Sequence, residues 1–315
     1  MPGWESRGMS LVGIACDESG YEGEKLVGGV TDVFAHASVA LDEAAAAECV
    51  AELRRRIRSP ATEYKANHVL RSKNRQVLLW LLGSSGPLLG NAQVQLVDKA
   101  YFLVSRLTEL LVGRPANSLY AAGRSTGGSA WDGFLQAANN LMWARETPDA
   151  VELFFKALQQ VPFDDEVVAA LEKARPSAEA FRAGLGADPT AIPPLDPLLP
   201  AIARAVEYWG DGKYPVAIAH DRQTSLSPQR IARLDLGDRL AGLELVHSTS
   251  DSRIQVADFL AGVARKVASD QLAGHDDAEL AALVRPYLDP LSVWGDDRSW
   301  ARLRPDRGST LGNCP

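Results

Sequence analysis

Cysteine is scarce in this chain of 315 residues, with three in all: Cys16, Cys49 and Cys314. They are too few for a disulfide framework, and no two have metal-ligand spacing, which argues against a stapled secreted scaffold and a cysteine-built zinc site. Long apolar runs are also missing. No stretch approaches the roughly 18 to 20 continuous apolar residues that span a bilayer, and the opening MPGWESRGMS lacks the basic and then apolar regions of a secretory signal. The expected setting is cytoplasmic, with no membrane partner and no evident protein partner. An excess of positive charge is absent as well. Lys+Arg 33 against Asp+Glu 40 leaves a net charge of −7, which counts against a sequence-independent coat for nucleic acid. It leaves room for an enzyme that handles phosphate through metal ions held by carboxylates. Two familiar chemistries lack their motifs. There is no G-x-x-x-x-G-K-[ST] for a P-loop, and no G-x-S-x-G surrounds Ser19.

What is present reads as a soluble globular chain, 46% hydrophobic and 23% charged, long enough to bury a substantial core. SLVGIAC (10–16) is short, apolar on both faces and runs into Asp17-Glu18-Ser19-Gly20, as a central strand would. LVGGVTDVF (26–34) reads as its antiparallel partner, with Gly28 and Gly29 marking a bulge or close approach. Residues 42–58 have a helical stripe of Ala46, Val50, Leu53 and Ile57 that Pro60 ends, and a second helix covers 73–82. AQVQLV (92–97) is another strand, ending at Asp98-Lys99, and 101–112 is helical. GRSTGGS (123–129) has the composition of a loop, 131–183 is mostly helical, and 186–200 with its five prolines is an extended strap. Then come a helix at 201–209, strands at 215–219 and 243–247, and a helix at 254–270 with Val256, Leu260, Val263 and Val267 on one stripe. The order β-β-α-α-β, an insertion, then β-β-α predicts an α/β fold around a mixed sheet.

Three acids recur in one situation. Asp17, Asp98 and Asp221 each follow or end a strand, and ligands in open α/β sheets gather outside the carboxyl ends of strands. Asp258, early in the last long helix, and Glu63 could join them. Such a cluster repels itself unless divalent cations neutralise it, and oxygen-only donors suit Mg²⁺ or Mn²⁺. The bland reading stands beside this one: forty acids are scattered along the chain, and Asp at a strand end is a common turn residue. Asp258 lies roughly opposite the valine stripe beside Ala261 and Gly262, so its face is either solvated or packed against something thin. His220, Cys16 and the basic groups Arg71, Lys73, Arg75, Arg222, Arg230 and Arg233 are more readily structural or solvated than catalytic.

The segments IACDESG, EYK (63–65), VDK (97–99), PVAIAHD and IQVADFLAG (254–262) together resemble the bacterial DUF3800 family. That resemblance implies a ribonuclease H-like core, related to retroviral integrases, built from 10–120 and 201–275. Around it would lie a helical insertion with its proline-rich strap at 121–200 and a C-terminal extension at 276–315. It further implies that Asp17 bridges two metals, Asp258 completes one metal site, Glu63 is the acid of the E-x-K motif, and Lys65 contacts phosphate or pairs with a carboxylate. Asp221 or Asp98 would be the fourth acid. The activity implied is that of a Mg²⁺- or Mn²⁺-dependent nuclease or phosphodiesterase acting on nucleic acid or another phosphodiester by two-metal chemistry. The competing expectation is a non-catalytic module that keeps the fold for binding.

Overall fold

A computed structural model describes residues 11–58, 66–113, 116–145, 147–185, 187–188, 191–275 and 277–305. Glu63 and Lys65 lie outside the described residues, as does Cys314. Five strands, β1 (Val12–Ser19), β2 (Val33–Val39), β3 (Ala92–Asp98), β4 (Val216–Asp221) and β5 (Leu240–Val246), form one mixed sheet in the order β3-β2-β1-β4-β5. The chain meanders antiparallel from β1 through β2 to β3, then returns in parallel as β4 and β5 on the other side of β1. The mixed α/β architecture follows the sequence pattern.

Alternation along β1 divides its side chains between two apolar layers. Ile14 and Cys16 join Phe34 of β2 and Ile218 of β4 in one layer, which the helix Leu198–Gly210 covers with Leu198, Ile202 and Trp209. The helices of the middle segment pack into that layer too, through Trp131, Phe134, Phe154 and Phe163. Their rings meet in stacked and edge-on pairs at 5.4–6.2 Å, the spacing aromatic quadrupoles favour. On the opposite face, Val33, Ala35 and Ala37 of β2 pack under the long helix Ser252–Leu272, whose Val256, Ala257, Phe259 and Leu260 are fully buried. Residues 277–305 complete this second layer with Val284, Tyr287 and Leu303. They also cover the outer edge of β3: Asp289 and Val293 N–H groups donate to the Val94 and Leu96 carbonyls at 2.7 and 2.8 Å. An open row of strand donors and acceptors is thereby satisfied.

Two local expectations are corrected. The second strand is Val33–Val39 rather than 26–34. Gly28 sits at φ +65°, and the Leu26 and Val27 N–H groups donate to the Asn139 side chain at 2.8 and 3.2 Å instead of to a strand. The segment 123–129 is not a loop but the junction of helices Asn117–Thr126 and Gly128–Met142, turned at Gly127 with φ +58°. Gly123 is there for packing, since a Cβ would lie 2.3 Å from the Trp131 ring.

Candidate functional site

Cys16 of β1 pairs with His220 of β4 in parallel register. One step further, Asp17 and Asp221 bring their carboxylates to the ends of adjacent strands on the face that carries the long helix, the face opposite Cys16 and His220. Asp258, six residues into that helix, is half-buried above them. The helix approaches closely because its facing residues are small. At Gly262 a Cβ would stand 2.2 Å from the Ala66 Cβ and 3.9 Å from Ser19 Oγ. This answers the question left by the sequence: the Asp258 face is packed against thin neighbours. Asp221 also anchors the helix entry, since its Oδ1 accepts the Ser248 N–H at 3.1 Å, and Ser248 in turn accepts Gln255 Nε2 at 3.0 Å.

Electrostatics ties the three acids together. Asp17 is 6% exposed, and its carboxyl is pushed up to about 9. Burial is the largest cause, followed by the negative charges of Glu18, Asp258 and Asp221, against one favourable hydrogen bond from the Glu18 N–H at 2.7 Å. At neutral pH Asp17 therefore keeps a proton. The donor chemistry, carboxylate oxygens only, fits a hard divalent ion. The geometry is more open: among the described residues, no group of three His, Cys, Asp or Glu side chains is arranged as it stands to hold a metal ion.

Asp98 is not part of this assembly. Its Oδ1 accepts the Tyr101 N–H at 3.1 Å, capping the helix Lys99–Leu111, and its Oδ2 accepts the Tyr120 hydroxyl. Burial raises it to about 6, with Tyr120, the Tyr101 N–H and Arg124 opposing. Lys99 is equally occupied, donating to Thr31 O and Thr31 Oγ1 at 3.0 and 2.7 Å.

Behind Asp17, on the other face of the sheet, stands a polar group of which the sequence reading weighed only His220. Glu18 of β1 and His36 of β2 are cross-strand partners, and His220 lies beside them. His220 Nδ1 is 2.8 Å from the Asp221 carbonyl oxygen, which can only accept, so Nδ1 carries a proton. His220 Nε2 lies 3.3 Å from His36 Nε2 and 3.8 Å from a Glu18 carboxylate oxygen. Burial holds His36 neutral, its pKa well below the ordinary value. Glu18 accepts Gln223 Nε2 at 2.7 Å through Oε1 and is raised by burial, opposed by His220. His220 thus fixes the backbone of Asp221 from below, which is a structural role. The available signal was the unbroken run of strand residues through DES, which must place Asp17 and Glu18 on opposite faces.

The chain matches no family model, no curated protein and no solved structure. No described helix is long and apolar enough to cross a membrane.

Proposed function

We propose that this protein is a divalent-metal-dependent phosphodiesterase with a ribonuclease H-like core of the DUF3800 type, cleaving nucleic acid. The observation that carries the reading is the meeting of Asp17, Asp221 and Asp258 on one face at the carboxyl end of two central parallel strands, with Asp17 held protonated by burial first and by the neighbouring negative charges second. The mixed five-strand sheet, with β1 at its centre, supports the same reading. Asp17, Asp221 and Asp258 would hold Mg²⁺ or Mn²⁺, with Glu63 as a further donor and Lys65 on the substrate phosphate. The metal supplies an activated water and charge stabilisation at the leaving oxygen. The residues of the chain provide negative charge, fixed orientation through Ser248 and His220, and a water-poor floor at Asp17. In this reading Asp98 is a capping residue, and Asp221 is the acid of the pair that serves the site.

A second reading, a non-catalytic binding module, draws on the open arrangement of the acids. Calorimetric titration with Mn²⁺ separates the two. The wild type and Asp98→Ala should bind with similar affinity, while Asp17→Asn and Asp258→Asn should lose binding at least ten-fold. Absence of carboxylate-dependent binding would decide for the module.

A further inference from the structure

Arg265 is two turns beyond Asp258 on the long helix, and Asp258, Gly262 and Arg265 are spaced i, i+4, i+7 on one face. Its Nε donates to Ser19 Oγ at 3.0 Å. Its stem lies across Gly20, where the backbone has φ +81° and a Cβ would meet Arg265 Cδ at 2.7 Å. The DESG segment thus has a division of labour. Asp17 joins the acids, Ser19 holds the guanidinium by one edge, and Gly20 leaves room for the stem. Among the described residues, the two terminal nitrogens of Arg265 have no hydrogen-bond or ion-pair partner. Asp32 and Asp270 lie within electrostatic reach, but Asp32 accepts from Ser269 Oγ and Asp270 from Lys266 Nζ. The group is half-buried, aligned by one bond, and presents a planar pair of donors to whatever lies past the end of β1.

We propose that Arg265 is a substrate-positioning residue that grips a phosphate flanking the scissile one, so that the ligand is a nucleic-acid strand rather than a small isolated phosphodiester. This rests on the hydrolase reading for the location of the scissile phosphate. Ser19 is two residues past Asp17 on the same face, about 7 Å along the strand. At 3.4 Å of rise per phosphate along one nucleic-acid strand, that span covers one to two nucleotides. A guanidinium is the side chain suited to such a grip, because its fork offers two parallel donors to phosphate oxygens. The net charge of −7 gives no general attraction for a polyanion, so directed contacts such as that of Arg265 have to supply the binding.

The test is fluorescence anisotropy with a 5′-fluorescein single-stranded 12-mer in Ca²⁺ over a series of salt concentrations. Arg265→Gln should weaken binding about 5- to 20-fold and reduce the magnitude of the log K against log salt slope by about 0.7, one phosphate contact on a single strand. Arg265→Lys should keep the slope while losing part of the affinity. Competition by a dinucleoside monophosphate, which has no flanking phosphate, should be at least ten-fold weaker than by unlabelled 12-mer. Unchanged affinity and slope in Arg265→Gln, or equal competition by the two ligands, overturns the proposal. If Arg265→Gln fails to fold, Ser19→Ala releases only the Nε anchor and should weaken binding with the slope intact; unchanged affinity there overturns it equally. Cleavage is read separately with Mn²⁺. A wild type that binds through Arg265 yet never cleaves refutes the hydrolase reading alone. A wild type that cleaves while Arg265→Gln binds as tightly refutes the role of Arg265 alone.

Discussion

Asp17 shows how a buried carboxyl sets itself against the fold that carries it. In the unfolded chain its carboxyl ionises near 3.8, in the folded metal-free protein at about 9. Between those values the folded state retains a proton that the unfolded state has released, so stability falls as pH rises through that window. Wild-type Tm in a chelator should therefore decline from about pH 5 to about pH 8, and Asp17→Asn, which cannot ionise, should flatten that decline. At about pH 7.5 its Tm should equal or exceed the wild type, by a few degrees at most, since functional acids commonly cost stability. Thermal melts across pH check this; a large loss of stability in Asp17→Asn would mark Asp17 as a turn or capping residue. At this scale the sequence was informative where a residue type meets a strand end: Asp17 and Asp221 lie near the ends of β1 and β4 as read, Asp98 was indistinguishable from them, and Asp258 was placed on the long helix. What separates Asp98 is the Tyr120 hydroxyl that occupies it, 22 residues away in sequence and without a signature. Arg265 was hidden for the opposite reason, since a lone arginine on a helix is ordinarily solvated and only Ser19 and Gly20 give it direction.

Among the elements, the long helix Ser252–Leu272 carries both faces of the argument. Its valine stripe was readable as one buried side, but the helix is buried on nearly every side, including Ala261, Gly262 and Ala264. Periodicity reports one apolar stripe, whereas small buried residues such as Ala261 and Gly262 disclose a second packed side only once their neighbours are in place. The shift of β2 to Val33–Val39 and the helical state of 123–126 were unreadable for a related reason. In both places a residue further along the chain decides the local structure: Asn139 takes the Leu26 and Val27 N–H groups, and Trp131 packs against Gly123. Gly262→Val tests the closeness of the long helix to the short helix Ala66–Val69. A Cβ at residue 262 would lie 2.2 Å from that of Ala66, so overpacking should cost about 1–3 kcal/mol. On the metal-site reading, the displaced helix should carry Asp258 with it and lower Mn²⁺ affinity. Denaturant melts and calorimetry read the two effects, and a variant of wild-type stability and affinity would refute the tight contact.

For the whole molecule, the middle helices and the sheet share one apolar layer, with Trp131 and Phe134 in the same cluster as Ile14 and Phe34. Burial of such rings contributes roughly 25 cal/mol per Å², so the insertion should not melt on its own. Urea unfolding followed by far-UV circular dichroism and by the fluorescence lost in Trp131→Phe should give coincident midpoints. An earlier midpoint for Trp131 would show the middle segment to be an independent unit.

The position of β1 also bears on how the chain reaches this state. Its antiparallel partner β2 begins 14 residues after β1 ends, whereas its parallel partner β4 begins at residue 216. Closing the second contact spans about two hundred residues and carries the loop entropy of doing so, which slows pairing. Until β4 and residues 289–293 arrive, both edges of the β1–β2–β3 meander are open, the kind that invites pairing with another chain. Refolding should accordingly be concentration-sensitive, losing yield to association as protein concentration rises. On the proposed reading, a divalent-ion site drawn from β1, β4 and the long helix should be the last property recovered, so that regained Mn²⁺ binding trails regained secondary structure.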